Sequence, residues 1–582
     1  MARSNLKRLG QYLYPHRTAV ALGIAALMVV NLLGVYIPFL IRDSVDDLQV
    51  SFDFDRVLGA VGAIILLTSI MAVIRMASRI WLFGVGRQVE FDLKQIIFEH
   101  LLQMEPAYFS ANRIGDTINR ATSDVDNIRR LLGFAVLSLA NTIFAYAFTL
   151  PVMLQISVNL TLLSLAVYPL MFLMVHVFSD RLRDEQEAVQ NELSEISNLI
   201  QEDVSGIAPI KIYAQEGNEE KAFYGLNQRL LKANLNLART RNLLFPLLGG
   251  LASVSLLALL WFGSGEIAAG RISIGDFLAL IVYVERLVFP TALLGFTISA
   301  YQRGEVSIDR VEAILQTQPK VMTQPGAIAL PRQQVRGKIQ VEHLSFRYGG
   351  RAEWALQDVS FAVEPGELVA IVGPVGCGKS TLANALPRLI DVEPNTVFLD
   401  GTDITQLDLV DLRRAIAYVP QESFLFSTTI AENIRYGDPE RDYGAIEGAA
   451  LQSQIHQEIL AFPKQYETMV GERGITLSGG QRQRSSLARA LLFDAPILIL
   501  DDALASVDNQ TATAILDKLR QGRDRKTIIF ISHQLSATAT ADRILVMDQG
   551  EIVAIGTHET LLAEPGLYRN LWNQHSLEIA LT

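Results

Sequence analysis

The sequence predicts a membrane α-helical domain with six transmembrane helices, followed by an α/β domain built on a parallel sheet. Two observations predict it. The first 315 residues contain long runs free of Asp, Glu, Lys and Arg, and a hydrocarbon core needs about 20 apolar residues per helix. After residue 337 the apolar runs shorten to "ELVAIVG", "PILILDD" and "KTIIFISH", rich in Ile, Leu and Val. They alternate with helical stretches, as buried parallel strands do.

Taken in order, Thr18 to Ile41 is uncharged and long enough to span. Val57 to Ile74 is shorter, but its apolar pattern continues past Arg75 and Arg79. Leu131 to Ser179 is too long for one helix and right for two, with a turn near Gln155–Asn159. Asn242 to Gly265 is a fifth span, and Phe277 to Gln302, interrupted by Glu285 and Arg286, is a sixth. So many uncharged runs exceed what buried helices of a soluble protein require.

Orientation follows from the loop cations. The segments Arg75–Arg130 and Arg181–Arg241 carry eight Lys or Arg each, whereas the loop after the first span holds two against five acids. The N-terminus, both long loops and the C-terminal domain are therefore expected to face the cytoplasm of a cytoplasmic (inner) membrane. Both long loops show apolar residues at helical spacing, so the spans should continue as helices, turn and return. "NLKRLGQYLYP" reads as a short amphipathic helix on the inner leaflet.

Composition excludes some classes. The net charge of −11 falls mostly after residue 335, with 22 Lys+Arg against 32 Asp+Glu there. An acidic domain is a poor partner for nucleic acid. The single cysteine, Cys377, forbids an intrachain disulfide. The N-terminal stretch lacks the short apolar core and cleavage site of a signal peptide.

Three prolines in residues 316–337 mark a linker. The expected division is 1–315 transmembrane, 316–337 linker and 338–582 α/β. In the last part "GPVGCGKST" (Gly373, Pro374, Val375, Gly376, Cys377, Gly378, Lys379, Ser380, Thr381) fits G-x-x-x-x-G-K-[ST] between a strand and a helix, the P-loop context. Its backbone N–H groups wrap phosphates, Lys379 reaches the β- and γ-phosphates, and Ser380 ligates Mg²⁺. Asp501, ending an apolar strand, is the expected second anchor of the Mg²⁺ of bound ATP. Cys377 has no catalytic task, but its thiol would make the loop sensitive to thiol reagents.

"LSGGQRQR", Leu477 to Arg484, lies between that loop and Asp501. With it the chain resembles an ABC transporter, as an exporter-type half-transporter with membrane and ATP-binding domains in one polypeptide. The resemblance covers nearly the whole chain. It implies that Tyr348 stacks on adenine, that Gln421 senses Mg²⁺ and water, and that His533 contacts the γ-phosphate. It implies that "TMVGERG" (468–474) touches the membrane domain, and that "GDTINRATSDVDNI" and "SGIAPIKIYAQE" dock on the ATPase domains. It also implies that Ser478, Gly480 and Gln481 meet the nucleotide of a second copy, so the chain must dimerise.

The same resemblance exposes a departure. The residue after the Mg²⁺ aspartate is usually a glutamate that orients the attacking water; here it is Asp502. Aspartate is shorter by about 1.5 Å, so a weak site and a heterodimeric partner are expected, with a homodimer as the alternative. Retained His533 favours the alternative, and Ala505, standing where serine is common, decides nothing. The implied mechanism is alternating access, exporting an amphipathic drug, lipid or short peptide; an ATP-gated channel or regulatory subunit is the competing class. Glu285 either favours cationic substrates or, like Arg286, pairs with neighbours or faces a watery cavity. Phe144, Tyr146, Tyr168 and Tyr283 either line a pocket or pack.

Overall fold

The computed structural model describes residues 9–50, 53–349, 353–471, 474–505, 507, 509–520, 526–532 and 535–581. The chain forms two compact units. One holds residues up to Leu102 together with Asn112–Thr317, the other Gln103–Ala111 together with the chain from Gln318 onward.

Among the described residues of the first unit six helices are long and apolar enough to cross a membrane: α1 (Leu9–Gln49), α2 (Phe54–Leu102), α3 (Ile114–Ile156), α4 (Val158–Ser205), α5 (Glu216–Ala268) and α6 (Ile274–Leu315). Each expected span falls inside one of them. At 1.5 Å per residue α2 is about 70 Å long, more than twice a hydrocarbon core. The helices therefore run well past their apolar runs, as the amphipathic loop pattern predicts. The 49-residue uncharged run (131–179) is divided by one residue. Ser157 adopts extended angles, φ −159° and ψ 120°, and its hydroxyl accepts from the Leu160 N–H to start α4. The inner-leaflet helix expected over 5–15 falls partly outside the described residues; from Leu9 the chain is already helical, tightening to a 3₁₀ turn at Tyr14–His16 beside Pro15.

α6 is the most buried of the six and contacts α1, α3, α4 and α5. Of the two roles open to Phe144, Tyr146, Tyr168 and Tyr283, lining a pocket or packing, the structure shows packing. The Tyr283 hydroxyl donates to Val35 O at 2.7 Å, the Tyr168 hydroxyl donates to Val284 O at 2.6 Å, and Tyr146 meets Thr291 Oγ1 at 2.6 Å. Phe144 stacks on Phe148. A buried phenol needs a partner, and these bonds tie one helix to the next.

The described residues of the second unit form two sheets. β1 (Ile339–Phe346), β2 (Leu356–Val363), β4 (Val397–Leu399) and β5 (Thr402–Asp403) form an antiparallel sheet in the order β2-β1-β4-β5. β3 (Leu368–Val372), β6 (Ile416–Val419), β7 (Ile497–Asp501), β8 (Thr527–Ile531), β9 (Arg543–Asp548) and β10 (Glu551–Gly556) form the larger one, in the order β10-β9-β3-β8-β7-β6. It is parallel except for β10. Every residue of β3, β7 and β8 is buried, which is why those strands read as unbroken apolar runs. The expected hairpin is present: Asp548 pairs with Glu551 across Gln549 (φ 45°) and Gly550 (φ 88°). Two positive φ values in a two-residue loop match the twist of the strands.

Candidate functional site

The chain leaves β3 through the glycine-rich loop and enters α7 (Lys379–Ala385). Gly378 has φ 102°, and a Cβ there would sit 2.4 Å from the carbonyl oxygen of Ala355. At Gly373 it would sit 2.2 Å from the Met547 carbonyl oxygen. Only glycine fits at either position.

Beside the loop opens a cavity of about 360 Å³, lined by Tyr348, Val375, Gly376, Gly378, Lys379, Ser380, Thr381, Gln421, Asp501 and Asp502. Ten of the sequence-selected residues therefore meet at one place. Gly373, Pro374 and Cys377 do not line it. Their part is indirect: Lys379 Nζ donates to the carbonyls of Gly373 (2.9 Å) and Pro374 (2.8 Å) and lies 3.7 Å from Cys377 Sγ. The lysine is folded onto its own loop, so to bind a phosphate it would have to exchange these carbonyl acceptors for phosphate oxygens. Cys377 is buried in the core under the loop, and burial pushes its thiol pKa up, against the smaller opposing pull of Lys379. Thiolates, not thiols, react, so the expected sensitivity to thiol reagents does not fit this environment.

β7 delivers Asp501 to the cavity floor, where it is 3% exposed. Ser380 Oγ donates to Asp501 Oδ1 at 3.0 Å, and the Tyr418 hydroxyl donates to Asp501 Oδ2 at 3.2 Å. Burial raises the Asp501 pKa; the Ser380 and Tyr418 bonds oppose it, Asp502 adds to it, and Lys379 opposes it. A carboxylate destabilised by burial gains from a cation. Two hard oxygens side by side, with Gln421 on the same cavity, suit Mg²⁺, which takes few protein ligands and completes its shell with phosphate and water. Among the described residues no cluster of three or more His, Cys, Asp or Glu offers a metal cage instead.

Asp502 follows at φ 50°, a left-handed conformation that aspartate tolerates better than most residues. It is 9% exposed, and its N–H donates to Ile531 O. His533 lies outside the described residues, as do Glu472 and Arg473 of the "TMVGERG" loop.

Ser478 caps α8 (Gly479–Phe493) in a capping box: its hydroxyl accepts from Gln481 N–H at 3.2 Å, and Gln481 Oε1 accepts from Ser478 N–H at 2.9 Å. Gln481 and Arg484 are both anchored on Glu458. Ser478, Gly480 and Gln481 do not line the cavity of their own chain.

Sequence reasoning missed three features. Trp354 lines the cavity, with the Arg347 guanidinium 5.3 Å from its ring centroid. Tyr418, on β6, holds Asp501, and no motif marks it in the sequence. Asn433, fully buried, bonds both the N–H and the carbonyl of Phe426 and receives Arg489, fixing the segment after Gln421.

Two family models match the chain: the ABC transporter transmembrane region over residues 20–291 and ABC transporter over 356–505. A Bacillus subtilis relative, "Probable multidrug resistance ABC transporter ATP-binding/permease protein YheI", is 33% identical over 99% of this chain and 98% of its own length. An "ATP-dependent lipid A-core flippase" of Syntrophus aciditrophicus is 31% identical, covering 97% of this chain and 93% of its own length. Among solved structures, a bacterial Atm1-family ABC exporter with ATP bound matches with a TM-score of 0.77 and 26% identity, over 97% of this chain and 99% of that one.

Proposed function

The chain belongs to the ABC transporter family, and on that premise we propose that it is one half of a dimeric exporter moving an amphipathic drug, lipid or short peptide outward across the cytoplasmic membrane. It is a multi-pass membrane protein and an ATPase coupled to transport. The finer reading places the N-terminus, the long loops and the ATPase domain in the cytoplasm, and divides the chain into 1–315, 316–337 and 338–582. The cation asymmetry of the loops supports the first. The two units, which part between Thr317 and Gln318, support the second.

One observation carries the dimer. The helix end built from Ser478, Gly480 and Gln481 is fully formed, yet it is absent from the cavity beside Lys379 in the same chain. A donor array aimed at phosphate has work only if a second chain brings its P-loop to it. ATP then closes the two ATPase domains, and hydrolysis lets them part. In the composite site built on this chain's P-loop, Lys379 and the P-loop amides bind phosphate, while Tyr348 and Trp354 flank the base. Ser380, Gln421 and Asp501 would hold Mg²⁺, whose charge would offset the phosphates.

The partner is a different half-transporter. Asp502 lies on the cavity but is about 1.5 Å shorter than the glutamate usual there, and a misplacement of order 1 Å costs about 10²-fold in rate. The site on this chain's P-loop therefore binds ATP and turns it over slowly, while this chain's signature completes the partner's faster site. Asp502→Glu is expected to raise turnover at this site by about 10²-fold. An unchanged rate in liposomes, with and without the partner, would remove the weak-site reading. The homodimer is the second reading, favoured by the presence of His533 in the sequence.

A further inference from the structure

The two charges of α6 face different cavities. Glu285 lines one of about 520 Å³ formed by α5 and α6. Arg286 lines another of about 500 Å³, to which α2 contributes Arg75 and Arg79. No Asp or Glu lines this second cavity, and none of the three arginines forms an ion pair among the described residues. Arg286 is held in place: one Nη donates to Asn31 O at 3.0 Å and Asn31 Oδ1 at 3.1 Å. Asn31, itself 3% exposed, is braced by donating to Leu27 O and Asn141 Oδ1. The packing leaves room for it, since a Cβ on Gly34 would lie 1.9 Å from Arg286 Nη1.

Asn31 and Arg286 sit within uncharged or nearly uncharged spans, at membrane depth. The Arg286 charge is costly there unless something supplies the opposite sign, and Arg75 and Arg79, exposed on α2, add two like charges to the same cavity. Among the described residues none supplies that opposite sign in this cavity. A guanidinium fork matches phosphate and carboxylate oxygens bidentately, and the rest of the wall pairs a few neutral polar groups, Ser78, Ser138 and Asn141 among them, with the apolar faces of Phe83, Phe134 and Phe289. We infer that this cavity binds an anionic amphiphile, its acidic head at Arg75, Arg79 and Arg286 and its hydrocarbon against the phenylalanines. The inference rests on the exporter reading and narrows its substrate class to acids.

The test uses the full-length chain in detergent micelles, with labelled dioleoyl phosphatidic acid, dioleoyl phosphatidylcholine and inorganic phosphate as probes. ATP binding is measured on the same samples. Phosphatidic acid is expected to bind about tenfold tighter than phosphatidylcholine, the weight of one charge-assisted hydrogen bond. That advantage should vanish in Arg286→Gln and in the Arg75→Gln/Arg79→Gln pair, and persist in Arg75→Lys/Arg79→Lys. Arg75 and Arg79 are exposed, so the pair guards against a folding failure of Arg286→Gln. Equal binding of the two lipids, or an advantage that survives both Gln variants, overturns the inference. So does displacement of the lipid by stoichiometric phosphate, which would make the occupant a free anion. Loss of ATP binding in the wild type would instead sink the exporter reading itself.

Discussion

Gly34 is glycine because Arg286 stands where its side chain would be. Gly34→Ala is therefore expected to destabilise the membrane unit by about 1–3 kcal/mol, the usual cost of overpacking. Arg286→Ala in the same background should recover most of that loss; thermal unfolding in detergent measures both. Cys377 offers a second check at this scale. Its thiol is buried and its pKa is raised, so less thiolate is present at neutral pH than on a free cysteine. Iodoacetamide labelling should be slow in the folded protein and fast after denaturation; rapid labelling of folded protein would contradict the buried position. The sequence announced both α6 charges but not their partners. Consecutive helical residues diverge by about 100°, and the residues that then meet Arg286 come from α1, hundreds of positions away.

At the scale of elements, much was legible because it is local. An uncharged run twice the length of a span needs one break, and Ser157 provides it. Unbroken Ile/Leu/Val runs become the fully buried strands β3, β7 and β8. The S-x-x-Q spacing of Ser478 and Gln481 is that of a capping box, and one forms at the start of α8. Removing an N-cap hydroxyl costs about 1 kcal/mol, so Ser478→Ala should increase hydrogen exchange in the first turn of α8 while the strands stay protected. Unchanged exchange would mean that Gln481 alone secures the turn. The fold-back of Lys379 onto Gly373 and Pro374 was not legible: it depends on carbonyl directions inside the loop, which a motif does not encode.

For the whole molecule, the division of labour predicts two distinct defects. Lys379→Ala should abolish nucleotide binding at this chain's own P-loop. Ser478→Arg should leave that binding intact and stop turnover at the partner's site, by blocking the capped end of α8. Photolabelling with an ATP analogue, read beside phosphate release, separates them; equal loss of both signals in Ser478→Arg would argue against a shared site. Domain order and the meeting of the motif residues at one cavity were readable because short motifs carry them. The membrane cavities were not, since helices distant in sequence build them. Phe289 borders both cavities, the basic one and the one holding Glu285. It is 61% exposed, so its ring is a rim shared by a cavity carrying arginines and one carrying Glu285. Trimming it to a methyl would therefore widen both mouths at once, and a cargo's fit at either would change together.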